Sequence, residues 1–153
     1  MPTLFLALLL TAAEPLGIAR ARGSFSAHGH KVWNNATVVE NRPLQALLVP
    51  VDIRLRTGEA WRLGAGAVAV VVARRLVLQE GTARGSFPIE CRGVLIEGGP
   101  AQVTLGRDAR LRVFAASDAV KVSAPAGVDI RRTAELPDLP GIAEEARLSG
   151  RWW

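Results

Sequence analysis

The chain reads as an all-β domain, laid out as a small β-solenoid-like or twisted β-sandwich, with an N-terminal signal helix and an irregular C-terminal tail. Three observations predict this. Turn signals separate short apolar runs about every 8–12 residues, the spacing of strand-rich folds. The 15 glycines and 9 prolines are scattered along the chain, which fits many short strands better than a few long helices. The clearest segments alternate polar and apolar residues with the period of two that belongs to a half-buried strand.

The elements follow in order. Ile18 to Arg22 is a weak alternating strand that Gly23-Ser24-Phe25 continues. Ala27-His28-Gly29-His30 reads as a hairpin turn, with Lys31-Val32-Trp33 returning from it and ending at Asn34-Asn35. Thr37 to Val39 is a short β-branched run, broken by Glu40 to Pro43. Leu44 to Val51 is apolar, but Pro50 argues against a long central strand. Asp52 to Arg56 alternates and Thr57-Gly58-Glu59 turns the chain into Trp61-Arg62-Leu63. Val68 to Val72, after Gly64-Ala65-Gly66, is nearly all apolar, as in a strand buried on both faces. Arg74-Arg75 reads as a turn into a strand at Leu76 to Leu78, ended by Glu80-Gly81. Gly93 to Ile96 and Gln102 to Leu105 flank a Gly98-Gly99-Pro100 turn. Arg110 to Ala115, Val120 to Val122 and Val128 to Ile130 complete the series. Beyond Arg132 the pattern fails, and residues 133–153 read as a loosely attached, proline-containing tail with at most a short helix at Ile142 to Arg147.

A weak internal repeat supports a layered architecture. Trp61 to Val71 aligns with Val103 to Val113 at an offset of 42 residues, each reading strand, L-G turn, alanine, strand. Repeats of this kind bury their apolar faces by stacking. The expected core is Ile53, Leu55, Leu63, Val70, Leu76, Leu78, Leu95, Leu105, Leu111, Val113, Val120 and Val122.

The chain's 153 residues are enough for one domain with a real core. Hydrophobic residues at 49% and charged residues at 22% exclude disorder. The net charge of +5 comes almost entirely from arginine, since Lys31 and Lys121 are the only lysines. With so much alanine, valine and glycine, that bias points to a GC-rich bacterial genome. Arg54 and Arg56 flank Leu55, and Arg110 and Arg112 flank Leu111, so strand periodicity places them opposite the core. They form a candidate interaction surface. Nucleic-acid binding calls for aromatic platforms or a clustered stripe, and the reading is no nucleic-acid partner.

Leu4 to Ala13 (LFLALLLTAA) is an apolar run too short to span a bilayer. The small residues Thr11-Ala12-Ala13 then form a cleavage site, with one after Ala21 as the alternative. Residues 1–13 are read as a signal peptide, 18–132 as the β-domain and 133–153 as the tail. No later stretch is long enough to span, so the mature chain carries no transmembrane span and resides in the periplasm or outside the cell.

Ile53 to Ala67 (I-R-L-R-T-G-E-A-W-R-L-G-A-G-A) resembles the FecR-like pattern of a strand, a turn and R-L-G-x-G-S/A. Leu76 to Arg84 resembles its next signature, L-x-L-x-x-G-x-[AV], and Val113 to Gly127 its closing strand pair. Asn35-Ala36-Thr37-Val38 is similar to an upstream element of small exported members. The resemblance covers residues 18–130. It implies a periplasmic β-rich module with no catalytic residue. Full-length FecR regulators are anti-sigma factors that relay a signal from an iron-siderophore receptor; their sigma-binding and receptor-binding segments have no counterpart in these residues.

Few groups suit catalysis. His28 and His30 are the only histidines, and two ligands are too few for a structural zinc site. Cys91 is the only cysteine, so no intramolecular disulfide forms. Glu59, Glu80, Glu90 and Glu97 sit in or beside turns, where solvated carboxylates are ordinary. Gly64-Ala65-Gly66 precedes no helix, so it is no dinucleotide fingerprint. Asn35-Ala36-Thr37 matches a glycosylation sequon by chance in a bacterial protein. Trp152 and Trp153 join the candidate interaction residues as an aromatic pair suited to a partner or membrane interface.

The expectation is therefore no enzyme and no cofactor, but an exported interaction module whose partner is another envelope protein or a cell-wall component. The alternative is a component of FecR-type cell-surface signalling for iron uptake that regulates a sigma factor. Mass spectrometry of the exported protein should find a chain beginning at Glu14; an intact Met1 on a cytoplasmic species would contradict export.

Overall fold

The computed structural model describes residues 14–140. The expected signal segment, its expected cleavage site after Ala13, the short helix expected at Ile142 to Arg147, Trp152 and Trp153 lie outside them. No helix occurs among the described residues, and hence none is long and apolar enough to cross a membrane. The chain forms β1 (Pro15–Ala27), β2 (His30–Val39), β3 (Leu44–Ala46), β4 (Val51–Leu55), β5 (Ala60–Leu63), β6 (Val68–Val72) and β7 (Arg75–Gly85). It continues with β8 (Ile89–Cys91), β9 (Val94–Glu97), β10 (Ala101–Leu105), β11 (Leu111–Ala115), β12 (Lys121–Val122) and β13 (Val128–Arg132).

Six strands close on themselves. Antiparallel ladders run β1–β4–β5–β7–β6–β3 and back to β1. The layout, left as solenoid-like or sandwich by the sequence, is thus a closed ring with outer strands. β2 lines β1 on the outside. β8, β9 and β12 extend from one part of β7, and β10, β11 and β13 from another. Only β7–β8 and β11–β13 are parallel.

Closure depends on two long strands that serve different neighbours along their length. The first half of β1 pairs β4 through Gly17 to Arg20, and its last residues pair β3 through Phe25 to Ala27. The β1–β2 register shifts between Arg20 and Ser24, where Asn34 has φ 67°. β7 pairs β6 through Arg75 to Glu80 and β5 through Ala83 to Gly85. Its register slips where Val68 meets Glu80 and Ala69 meets Leu78. Gly81 follows at φ +84°, and a Cβ there would lie 2.7 Å from the Ala67 Cα. Glycine is the residue that permits both the left-handed backbone and that approach. Glu80-Gly81, expected to end a strand, instead bends one that continues. Asn34-Asn35 likewise kinks β2 without ending it.

Three two-residue hairpins have positive φ at both central positions: His28-Gly29, Ala73-Arg74 and Arg92-Gly93. Such turns match the twist of the strands they join. The expected Arg74-Arg75 turn is displaced by one residue.

The interior is built in cross-strand rows. One runs Val51, Leu63, Ala83, Val103, Val113 and Ile130; the next runs Ala19, Ile53, Trp61, Gly85, Ala101 and Ala115. In the second row one indole lies between Ile53 and Gly85. A Cβ on Gly85 would meet Trp61 Cδ1 at 2.9 Å. Nine of the expected core residues are buried, but Leu95, Leu105 and Val122 are half-buried. In Val94-Leu95-Ile96 three apolar residues in a row hide the parity. The pairing of Ile96 with buried Ile89 turns Ile96 inward, while Leu95 pairs Glu90. Strand β8 itself was not expected, because Ile89-Glu90-Cys91 is too short to show a period.

The sequence repeat does not fold as a repeat. β10 and β11 form a hairpin, whereas β5 and β6 do not pair each other and join different parts of β7. Thr133 to Pro140 forms no strand and is mostly exposed, with its anchor at the end of the described residues. Leu139 is buried, and the Ala65 N–H donates to the Pro140 carbonyl at 2.7 Å.

The bend and the core give separable effects in urea unfolding. Gly81→Ala should cost about 1–3 kcal/mol from backbone strain, before the Ala67 contact is counted. Leu78→Ala, a cavity in the buried layer, should cost about 2–5 kcal/mol. Wild-type stability for Gly81→Ala would contradict the bend.

Candidate functional site

On the outer face of β1, β4, β5 and β7 the strand register sets side chains on a grid. One row is Arg20, Asp52, Arg62 and Arg84; the next holds Ile18, Arg54 and Ala60. Arg56 continues the β4 column, its N–H donating to the Leu16 carbonyl at 2.9 Å. Long arginines thus alternate with the short side chains of Ala60 and Ser86. The height difference leaves a groove of about 820 Å³ whose lining includes all five arginines, Ile18 and Phe87. Ile18 is 46% and Phe87 39% exposed. Phe87 stands edge-on to Trp61 with ring centroids 6.4 Å apart, and the Trp61 indole N–H donates to the Phe87 carbonyl at 3.3 Å.

Asp52 is the one carboxylate in this lining. It takes Arg62 side-on, Nε to Oδ1 at 2.5 Å and Nη2 to Oδ2 at 3.1 Å. That hydrogen bond raises the Arg62 pKa above its ordinary value. Among the described residues this is the only ion pair in the groove. The remaining guanidiniums keep their charge uncompensated, which concentrates positive potential over the small-residue floor. A guanidinium offers fixed donors matched to carboxylate or phosphate and stays protonated across the physiological range. The arrangement can therefore hold anions but has little capacity to move protons.

Of the arginines singled out from sequence, Arg54 and Arg56 line the groove. Arg110 and Arg112 do not join them, because β5, β7 and β10 intervene between β4 and β11. Arg112 pairs with Asp108 at 3.2 Å and lines a second hollow with Phe114, Asp129 and Arg131. The Asp108 carboxyl is held below its usual range, first by the Arg110 backbone N–H and then by Arg112. Sequence reasoning missed Arg20, Arg62 and Arg84. Parity marked Arg62 as outward in Trp61-Arg62-Leu63, but which strands adjoin could not be read from it.

The other groups singled out fall elsewhere. His28 is in the β1–β2 turn, its backbone N–H donating to the Pro43 carbonyl at 2.9 Å, and His30 opens β2. Among the described residues no group of three His, Cys, Asp or Glu side chains could hold a metal ion. Glu59 accepts a hydrogen bond from the Thr57 hydroxyl, which lowers its pKa. Glu90 pairs with Arg75 at 3.2 Å. Cys91 is buried on β8, and burial pushes its thiol pKa up, with Arg92 opposing.

The thiol should therefore resist a disulfide reagent at mildly alkaline pH in the folded protein and react fully in denaturant. Rapid reaction of the native chain would show that β8 is not packed as described.

Comparison of the chain with family models, with curated proteins and with solved structures returns no match.

Proposed function

We propose that this chain is a non-enzymatic, exported binding module, a FecR-like β-domain that holds another protein of the bacterial envelope. The observation that carries the reading is the outer groove, lined by five arginines and one carboxylate, with four of the arginines on hydrogen-bonded strands and Arg56 in the turn after β4. Sites built on strands are held more precisely than sites on loops. Protonated arginines suit binding better than acid–base chemistry, which needs groups that titrate near the working pH. Export rests on the apolar Leu4 to Ala13 segment, and the FecR-like reading on the motifs at Ile53 to Ala67, Leu76 to Arg84 and Val113 to Gly127.

A second route to binding is strand addition to an open sheet edge. β2 pairs only β1 and is the longest outer strand. Its edge carries Lys31 and the left-handed Asn34, and a charged side chain and a local kink are devices that discourage edge pairing. The groove is thus the favoured surface. In the FecR-type signalling alternative, this module would relay an iron-uptake signal toward a sigma factor through the same groove. Co-purification of a sigma-regulator system with the module would favour that role.

The test is capture of a partner from envelope extract by the mature chain. Retention should weaken strongly as the Debye length falls from about 10 Å at 0.1 M salt to about 3 Å at 1 M. The double variant Arg54→Ser, Arg56→Ser should lose the partner at low salt. Retention indifferent to both changes would point to edge addition, and turnover of a substrate by the purified chain would overturn the non-enzymatic reading.

A further inference from the structure

We infer that the groove is shaped for an extended acidic segment of a partner protein, with carboxylates at alternate positions and an apolar residue beside them. This rests on the reading of the groove as a binding surface and names the chemistry that fits it. Arg54 is the last outward residue of β4 and Arg56 the first residue of the turn after it; Leu55 between them is extended, so their Cα atoms are about 6.6–6.8 Å apart. An extended segment lying along β4 presents its own alternate side chains at that same pitch, so two of its carboxylates meet the two guanidiniums in register. Arg84 stands two strands from β4 in the Asp52–Arg62 row, its Nη1 donating to the Pro137 carbonyl at 3.5 Å, and adds positive charge at the far corner of the groove.

Two further features restrict the ligand. Asp52 occupies the side of Arg62 and places negative charge between Arg20 and Arg62. An acidic segment that crosses the Arg20 side, or that continues along β4 past Arg54, meets Asp52 and is repelled, so the favoured stretch is confined to Arg54 and Arg56 beside the open side of Ala60. Repulsive groups of this kind set register as much as attractive ones do. Ile18 and Phe87, both partly exposed in the lining, offer an apolar anchor point next to the guanidiniums. The volume of about 820 Å³ fits a few side chains and lies within the range of about 300–1,000 Å³ typical of ligand clefts.

A membrane surface and a nucleic acid fit less well. Binding to anionic lipid needs basic and apolar side chains on a face that can press into a plane, whereas here the small residues recede between the arginines. Single-stranded nucleic acid stacks successive bases on aromatic platforms. In this groove Phe87 is the one partly exposed aromatic ring, and Trp61 is buried.

The experiment uses the mature chain and two labelled synthetic peptides of identical composition. One has Asp-Ser-Glu-Ser-Leu order and the other has Asp and Glu adjacent; fluorescence anisotropy reads the affinities at low salt. The alternating peptide should bind about tenfold more tightly than its isomer, because adjacent residues of an extended chain face opposite ways. Arg54→Ser should remove about tenfold of that affinity, Asp52→Asn should increase it, and Arg107→Ser on the distant β10–β11 turn should leave it unchanged. Circular dichroism checks that each variant keeps its β spectrum, and Arg54→Lys tests charge without the planar fork. Equal affinity for the two peptides, or indifference to Arg54→Ser, overturns the inference. So does Arg54-dependent binding to phosphatidylglycerol vesicles without peptide binding, which would assign the groove to a membrane. If envelope capture depends on Arg54 and Arg56 while the peptides do not discriminate, the register inference fails and the binding-module reading stands. If capture is independent of both arginines, the groove reading itself fails.

Discussion

Closure of the backbone hydrogen-bond ladder is the constraint on which the molecule depends. β6 is paired on one side to β3 and on the other to β7, so neither side of it is left as an open edge. An open edge would present unpaired N–H and C=O groups that must be satisfied elsewhere. The ring closes because β1 and β7 each change partners along their length, and a strand can do so only if it bends. In β7 the bend is local and identifiable: a register slip beside Glu80, then Gly81 in the left-handed region with Ala67 packed against its backbone. Of the seven outer strands, the six other than β2 hang from β7 or from strands attached to it. The bend at Gly81 thus divides β7 into a part that carries β6 and β8 and a part that carries β5 and β10.

The same ladders bind the interior to the exterior. Strand side chains alternate faces, so the register that seats Trp61 opposite Gly85 also seats Arg62 opposite Arg84. The indole needs a small partner: a β-carbon at position 85 would overlap the ring edge. Packing inside therefore fixes the arginine row outside. A slip of one residue would expose Leu63 and bury Arg62 together, a cost that makes the register strongly specified. The groove is a by-product of side-chain length on this grid, long at Arg54, Arg62 and Arg84 and short at Ala60 and Ser86.

The charges divide by role. Arg75, Arg112 and Arg132 each lie beside a carboxylate, Glu90, Asp108 and Asp118 respectively. Such exposed pairs contribute little to stability, about 0–1 kcal/mol each. The Asp52–Arg62 pair is equally exposed, and its value lies in fixing the direction of one guanidinium within the groove. Crowding several arginines on one face with a single carboxylate brings mutual repulsion and no folding benefit that the strands require. A ligand anion would relieve that repulsion.

Local pattern by itself determined the all-β class, most strand positions and the inward parity of residues such as Ile53, Leu63, Leu78 and Val113. Alternation is a property of neighbouring residues, and two-residue turns such as His28-Gly29 depend on local backbone preference. The outward parity of Arg54 and Arg56 was legible for the same reason. Parity failed at Val94-Leu95-Ile96, where unbroken apolarity carries no period, and at Ile89-Glu90-Cys91, which is too short to show one. The tertiary structure alone decided which strands adjoin. It made Gly81 a bend instead of an end, closed the ring, separated β5 from β6 while keeping β10 with β11, and drew Arg20, Arg62 and Arg84 to Arg54 while leaving Arg110 and Arg112 apart. Those outcomes depend on hydrogen bonds between residues distant in sequence and on the fit of Trp61 against Gly85, and neither is encoded in any window of neighbouring residues.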